Sequence, residues 1–369
     1  MAMPTSSLNG RLRKTFFFLL LAPLAIVALS SSNTGCRSSE YTSLADLLQR
    51  HPSNRLENWQ GLLTERKGAK GLPDDFIQPA GTLPLQYGIA MNELDGFEPP
   101  ETAEPEPEKL EVVRKNLGLA LRSQPELERF LSLRVAGIYL VRNLGSSGLT
   151  GFIYDRNGVA RAGFILMDWD RVQMSAEDMI NLREKTIIQQ GSKLPSYWGY
   201  RLTCGNAPCP GSIDGLTYLL FHESAHVASE VYGTLPGLFL SDQEQYEQLK
   251  KGMPDFFANY WKDLHTTRTE FHFRKALKFY GNEPYFSREE HARAVKLAFD
   301  RGFPGLYSVQ DCWEFMAEVT AYSMLNRTLE FHSDADFRFV FSARSQAGLR
   351  GFIAELKGKM AQDQGISLD

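Results

Sequence analysis

The chain has 369 residues, of which 43% are hydrophobic and 23% charged, and its formal net charge is -4. This length can bury one large core or two small ones, and the composition excludes a disordered or fibrous chain. The slightly negative charge offers no basic stripe, so nucleic acid is excluded as an expected partner.

The chain begins with a segment that has the anatomy of an export signal. Basic residues at positions 11–14 precede an apolar run over residues 16–29 and a small polar stretch that ends at Cys36. The run is short for a membrane span, which needs about 20 apolar residues, so we interpret residues 1–36 as a signal peptide. The end of this segment resembles the lipobox of bacterial lipoproteins, although Asn33 replaces its usual apolar residue. That resemblance implies a lipid on Cys36 that anchors the chain to a membrane.

Export implies a bacterial cell-envelope lipoprotein, facing the periplasm or in the outer membrane, or a secreted protein. An uncleaved membrane anchor, the alternative interpretation, predicts the same side of the membrane. In this oxidising compartment Cys204 and Cys209, which bracket a turn-rich loop, could pair as a disulfide. Cys312 would then remain as a free and buried cysteine.

Residues 37–108 form an N-terminal segment that ends in a stretch rich in proline and glutamate. Glu98–Glu108 contains four prolines and five glutamates, a composition typical of an extended, solvated linker. We therefore expect a domain boundary there, with residues 109–369 as the main domain.

The main domain begins with strand patterns and continues with helical ones. Val135–Arg142 has the composition of a strand, and Asn157-Gly158 lies between two apolar runs, which is the strongest short signal for a β-hairpin. From Ala176 onwards the apolar spacing is mostly helical. The predicted fold class is α+β, with a small mixed or antiparallel sheet packed with a mostly helical remainder.

The sequence HESAH at positions 222–226 is the strongest functional signal in the chain. It lies on a predicted helix that begins after Ser212 or Asp214. Residues four apart share a helical face, so His222 and His226 can bind one ion, with the intervening glutamate as general base. Because this helix is apolar on nearly every side, these polar groups are costly to bury unless a metal pairs with them.

A catalytic zinc needs a third protein ligand and one open coordination position. The glutamates of segment 241–248 lie in a stretch that is polar all round, and His265 and His272 stand among charged residues. Glu314 and Glu318 are better candidates, since they form one stripe on an otherwise apolar helix. We expect Glu314 to bind zinc and Glu318 to orient a ligand histidine. The alternative is an exposed carboxylate stripe without a ligand.

The motif at 222–226, followed by Glu314 and Glu318 on one helix, resembles the gluzincin catalytic domain of anthrax lethal factor. It is more loosely similar to the Mlc titration factor peptidases. The resemblance implies a zincin-like fold with Glu314 as the third zinc ligand. It also implies that Tyr307, seven residues earlier, stabilises the transition state. The alternative role for Tyr307 is packing at the start of the helix.

The chain departs from lethal factor in the long interval between His226 and Glu314. We therefore expect residues 236–303 to form an inserted helical subdomain. In zincins an edge strand beside the metal helix pairs with extended peptide substrate. Val159–Asp168, the last strand before the helices, is the strand expected to have that role.

Together these features predict an exported zinc metalloendopeptidase that hydrolyses proteins or peptides through a zinc-activated water. His222, His226 and Glu314 are the predicted Zn²⁺ ligands, Glu223 is the general base, and Tyr307 steadies the tetrahedral intermediate. The alternative hypothesis is a lipoprotein binding or scaffold module with a structural or silent metal site. Glu223 weighs against that alternative, because a structural site does not need a general base.

Overall fold

The computed structural model describes residues 40–66, 71–204, 211–281, 283–333, 338–342, 346 and 348–366. The predicted signal segment, with Cys36, lies outside the described residues. By their contacts, residues 39–369 group as one compact unit. Within the described ranges, the helices include none that is both long and apolar enough to cross a membrane.

The helices of the described chain, in order, are α1 Leu44–Arg50, α2 Gln60–Glu65, α3 Thr82–Asp95, α4 Pro107–Leu121, α5 Pro125–Arg134, α6 Trp169–Val172, α7 Ala176–Lys185, α8 Gly215–Tyr232, α9 Asp242–Leu249, α10 Asp255–Ala258, α11 Arg288–Asp300, α12 Cys312–Leu325 and α13 Leu349–Gln362. The strands are β1 Ile77–Pro79, β2 Glu101–Thr102, β3 Val135–Arg142, β4 Gly148–Tyr154, β5 Ala160–Asp168, β6 Gly199–Thr203, β7 Thr328–His332 and β8 Arg338–Ser342.

The strands form two sheets, and the predicted α+β class is confirmed. The larger sheet has the order β1-β3-β5-β4, with β2 paired to β3. It is mixed, because β3 runs parallel to β1 and β5 whereas β4 is antiparallel to β5. The smaller sheet, β6-β7-β8, is antiparallel throughout.

The predicted hairpin is confirmed, but the strand expected to lie at the sheet edge is not the edge strand. β4 and β5 flank a turn in which Gly158 has φ +73°, a conformation that favours glycine. β5, which the sequence placed at Val159–Asp168, lies between β3 and β4. β3 pairs directly with β5, the second strand of the hairpin. The first strand of the hairpin, β4, is therefore the edge strand, although it precedes β5 in the chain.

Two apolar cores lie on opposite faces of the larger sheet. Along β5, Ile165 belongs to the core that includes α8, whereas Phe164 belongs to the core that includes the N-terminal segment. This alternation is the period of two expected of a strand buried on both faces. On the N-terminal side, Trp59 stacks on Phe164 with ring centroids 5.1 Å apart, and Tyr87 meets it edge-on at 5.2 Å.

The stretch that the sequence indicated as a linker, Glu98–Glu108, is part of the fold. Its residues 101 and 102 form β2, and the buried Ala103 donates its N–H to the carbonyl of Leu140 at 3.2 Å. Pro107 is the first residue of α4, where a missing N–H costs nothing. The expected boundary therefore does not divide two units, because this stretch is paired with the central strand β3.

In its described residues, the expected inserted region 236–303 contributes helices α9, α10 and α11 and the short 3₁₀ helix Arg274–Ala276, joined by turns and extended segments. Its aromatic rings pack on α12: Phe303 lies 4.9 Å from the ring of Phe315, and Phe256 lies 5.9 Å from it. This region is therefore continuous with the main core and supports the helix that carries Glu314.

The cysteines follow the sequence prediction where they are described. Cys312 is free and buried. Cys204 is disulfide-bonded, and Cys209, its expected partner, lies outside the described residues.

Candidate metal centre

Helix α8 carries both histidines on one face, as its motif predicts. The side chain of Asp214 caps the helix by accepting the N–H of Thr217 at 2.7 Å, and Gly233 ends it in the left-handed conformation. The two imidazoles face the same point, with 3.3 Å between Nε2 of His222 and Nε2 of His226. Local helix geometry is thus sufficient to bring these two nitrogens together.

Helix α12 supplies the third group by packing against α8. It begins at Cys312, because Asp311 accepts the N–H of Glu314 at 2.8 Å and caps the helix. Oε2 of Glu314 lies 3.2 Å from Nε2 of His222, and Oε1 lies 3.8 Å from Nε2 of His226. The first turn of α12 therefore faces the motif on α8.

The three side chains His222, His226 and Glu314 fit the requirements of a divalent metal site. One ligand atom from each lies within 4.8 Å of the others. Oε2 of Glu314 is buried and has no hydrogen-bond partner, which is costly for a carboxylate unless a cation binds it. Two imidazoles and one carboxylate form the His₂Glu donor set typical of catalytic zinc.

The competing ligands considered from the sequence lie elsewhere on the surface. Glu244 accepts hydrogen bonds from Ser241 and closes the capping box of α9. His265 and His272 are exposed. These side chains are solvated, as the polar character of their surroundings predicts.

Glu318 is fully buried, so the exposed-stripe alternative is wrong for this residue. Its Oε1 lies 3.2 Å from Nδ1 of His222 and also accepts a hydrogen bond from the hydroxyl of Tyr218. Arg183, on α7, donates to both oxygens of Glu318 at 3.0 and 3.3 Å. A carboxylate held in this way fixes the orientation of the His222 ring.

Arg183 was not identified from the sequence. It is buried, and its guanidinium also lies over the ring of Tyr307 at 4.0 Å from the centroid. A buried carboxylate such as that of Glu318 requires a cationic partner, so the sequence could in principle indicate that such a partner exists. The chain has 40 lysines and arginines, and no spacing rule connects residue 183 to residue 318.

Glu223 lies against the start of β4. It is 5% exposed, and Thr150 donates its hydroxyl to Oε2 at 2.6 Å. A Cβ atom at Gly148 would lie 2.5 Å from Oε1, so glycine is required for this close approach. The sequence pointed to neither Thr150 nor Gly148, because their roles depend on how the sheet packs on α8.

Two tyrosines stand beside the metal centre. Tyr307 lies in a short 3₁₀ turn, Tyr307–Val309, and its ring centroid is 6.1 Å from that of His222. Tyr280, which the sequence did not single out, comes from the inserted region, and its hydroxyl lies 3.0 Å from Oγ of Ser147. Its backbone is left-handed at φ 61°, an unusual conformation for a non-glycine residue.

A small cavity lies between these tyrosines and α8. Its volume is about 20 Å³, which is room for roughly one water molecule. The polar groups lining it include Arg183, Tyr218, His222, Glu223, Tyr280 and Tyr307. The carboxyl group of Glu223 and the phenols of Tyr280 and Tyr307 therefore line the same cavity.

The buried charges shift the pKa values of the two histidines in opposite directions. Burial alone would lower the pKa of His222, but the carboxylates of Glu314 and Glu318, each 3.2 Å from one of its ring nitrogens, raise it to about 10. Burial lowers the pKa of His226 to about 4, and its nearby charges do not offset that effect. The imidazole of His222 thus favours its protonated form at neutral pH, and that of His226 favours its neutral form.

The carboxyl groups also differ in pKa. Burial raises the pKa of Glu223 to about 7, against the opposing effect of the His222 charge. Burial would also raise the pKa of Glu318, but Arg183 and His222 lower it to about 2. Glu318 is therefore a permanent carboxylate, whereas Glu223 can accept and release a proton near neutral pH.

Comparisons with protein-family models, with curated proteins and with solved structures found no match to this chain. The functional inference therefore depends on the geometry of the named side chains.

Proposed function

We propose that this protein is a zinc-dependent peptidase in which His222, His226 and Glu314 hold the ion. The observation that carries the proposal is the convergence of three ligand atoms within 4.8 Å, next to a buried Glu223 that faces a cavity. When bound, zinc acts as a Lewis acid that polarises a carbonyl and lowers the pKa of water.

Glu223 is the general base and then the general acid. Its carboxylate takes a proton from the attacking water and returns it to the nitrogen of the leaving amine. The hydroxyl of Thr150, 2.6 Å from Oε2, holds one carboxylate oxygen in place. A pKa raised to about 7 by burial suits both steps, because the group can gain and lose a proton near neutral pH.

Tyr307 donates a hydrogen bond to the oxyanion of the tetrahedral intermediate. Burial raises the pKa of its phenol well above the usual value, so the proton needed for donation stays on the oxygen. The guanidinium of Arg183 and the ring of Phe279, whose centroid is 5.0 Å away, hold the Tyr307 ring.

A binding or scaffold module with a structural metal is the second candidate. Structural zinc sites are closed by four protein ligands, whereas the described residues supply three here and Glu223 faces the adjoining cavity. These features favour catalysis. Export, and attachment through Cys36, remain predictions from the sequence.

The test compares two Glu→Gln variants of α8. Glu223→Gln is expected to keep one zinc per chain but to lose hydrolysis of a mixed peptide library by roughly 10²–10⁴-fold. Glu230→Gln is the matched control, because Glu230 is on the same helix and pairs instead with the hydroxyl of Tyr154 at 2.8 Å. Zinc is measured by atomic emission, and hydrolysis by mass spectrometry with and without chelator.

Retained hydrolysis in the Glu223→Gln variant would exclude the proposed mechanism. A folded wild-type protein that binds no zinc would favour the scaffold module instead.

A further inference from the structure

The edge of the larger sheet beside the metal centre is covered by the chain itself. Among the described strands, β4 pairs with β5 alone, so its outer side would normally present unpaired N–H and C=O groups. Residues 150–154 of β4 are nevertheless all buried. A strand in this position could pair with a peptide only where its outer side is free.

The covering groups come from the N-terminal segment. The amide of Asn54 donates to the carbonyl of Phe152 at 2.7 Å, and the hydroxyl of Tyr87 lies 3.3 Å from the carbonyl of Thr150. Alternate residues of a strand direct their backbone groups to the same side, so these two carbonyls belong to the outer side of β4. At the end of the strand, Tyr154 forms a parallel bridge with Arg55.

This cover is a fixed part of the second core. Asn54 belongs to the short 3₁₀ helix Pro52–Asn54, and it is fully buried. In the same helix, the hydroxyl of Ser53 donates to the carbonyl of Leu83 at 2.6 Å, and the backbone carbonyl of Ser53 accepts from the indole N–H of Trp59 at 2.9 Å. Opening the edge would therefore require breaking several buried contacts.

Only the first two residues of β4, Gly148 and Leu149, are partly exposed. These two lie at the end of the strand nearest Glu223, whose Oε1 leaves no room for a Cβ at Gly148. The carbonyl of Gly148 accepts a hydrogen bond from Ser146 at 2.8 Å. The adjoining cavity, of about 20 Å³, adds little further space.

We propose that the covered edge of β4 restricts this site to short peptides or chain ends, because Gly148 is the one partly exposed residue of the strand whose backbone groups face outwards. The substrate class follows from geometry: an extended internal segment of a long polypeptide would need the carbonyls that Asn54 and Tyr87 already occupy. This inference depends on the proposed peptidase function and narrows it.

The test is a series of peptides with both ends blocked. A bond cleaved in a mixed library is placed in peptides lengthened one residue at a time, first on one side and then on the other. On the side of the cleaved bond that would extend along β4, kcat/KM is expected to stop rising after about two residues. Each further residue finds no free backbone group on the strand to pair with. A continued rise of about fivefold per residue pair on both sides would overturn the proposal, since that gain corresponds to one net hydrogen bond.

Amide hydrogen exchange gives a readout that does not depend on turnover. The amides of residues 150–154 are expected to exchange slowly in the free protein, and no more slowly when the longest blocked peptide is added to the Glu223→Gln variant. Added protection of about tenfold at these amides would show strand pairing and overturn the proposal. Absence of hydrolysis with every peptide would instead count against the peptidase function, so the two failures are distinguishable.

A double variant tests the covering side chains directly. Asn54→Ala with Tyr87→Phe removes both donors, and is expected to raise kcat/KM for the longest peptide relative to the shortest by about fivefold. Tyr139→Phe is the matched control, because the Tyr139 ring also packs on Phe164 but its hydroxyl lies near Ala136, away from β4. An unchanged ratio in the folded double variant would contradict the role of these residues.

Discussion

Two buried pairs of histidine and glutamate lie on either side of helix α7, and they differ in what surrounds them. On one side, Arg183 pairs with Glu318, which in turn contacts His222. On the other side, the next residue, Glu184, meets His291 of α11 at 2.8 Å, with side chains 1% and 0% exposed. Both pairs are buried, and both join a histidine to a carboxylate.

The second pair consists of two residues, Glu184 and His291. His291 is surrounded by aromatic rings, with centroids of Trp198 and Phe331 both 5.4 Å away. Among the described residues, the grouping of three potential ligands occurs at the other pair, where Glu314 joins the two histidines. A buried histidine beside a glutamate therefore does not indicate a metal by itself. The proposed metal site depends instead on the third converging side chain and the adjoining cavity.

The largest expected effect comes from comparing the replacement of Glu314, which joins the first pair, with the replacement of Glu184 in the second pair. Glu314→Gln is expected to lose bound zinc and all measurable hydrolysis, whereas Glu184→Gln keeps both. An ion present at about 1,000 times its Kd adds about 4 kcal/mol to the free energy of unfolding. A chelator should therefore lower the melting temperature of the wild type and of Glu184→Gln, but not of Glu314→Gln.

If purified Glu314→Gln contained one zinc ion per chain, the proposed difference between the two pairs would be wrong. Loss of zinc from Glu184→Gln would do the same.

A smaller effect is expected from Arg183→Lys. Lysine cannot donate to both oxygens of Glu318 as a planar guanidinium does, so the His222 ring is less well fixed. Zinc affinity should fall about 10–100-fold, as is typical when the partner of a ligand histidine is altered. Competition with a chromophoric chelator measures the affinity, and the visible spectrum of the cobalt-substituted protein reports the geometry.

Arg134→Lys is the matched control for that experiment. Arg134 also donates to both oxygens of a carboxylate, Asp363, at 2.8 Å. This variant should lose stability without any change in zinc affinity. Equal losses of affinity in the two variants would mean that Arg183 acts only on stability.

The smallest signal is the release of about one proton for each zinc ion bound. The pKa of His222 is raised to about 10 by Glu314 and Glu318, so this imidazole carries a proton at pH 8 that zinc must displace. The pKa of His226 is lowered to about 4, so it has no proton to lose. About one proton per zinc should be released, and apparent affinity should rise about tenfold per pH unit up to pH 10.

Calorimetry in buffers of different ionisation enthalpy counts these protons. Binding at pH 8 without proton release would show that the carboxylates do not hold His222 in its charged form.

The parts of the site that depend on local signals were predictable from the sequence. Asp214 and Gly233 delimit α8 because capping and left-handed residues act on their own helix. The spacing within 222–226 brings the two imidazoles together for the same reason. Helix α12 begins after the 3₁₀ turn Tyr307–Val309, and Asp311 caps it in the same local way.

The parts that depend on distant contacts were not predictable. Arg183 meets Glu318 across 135 positions, and Thr150 meets Glu223 across 73. The proline-rich stretch at Glu98–Glu108 has the composition of a solvated linker, yet its residues 101 and 102 pair with β3. The composition of a segment indicates whether the segment can be exposed to solvent. It does not indicate whether a strand elsewhere in the chain is available to pair with it.

Arg183 and Glu184 are consecutive residues, and their side chains join α12 on one side and α11 on the other. A displacement of α11 would therefore act on Glu184, the residue next to the Arg183 that pairs with Glu318 beside His222. Under the proposed function, a ligand that binds around α11 and shifts these residues would be thermodynamically linked to the affinity for zinc. By reciprocity, zinc would alter the affinity for that ligand by the same factor.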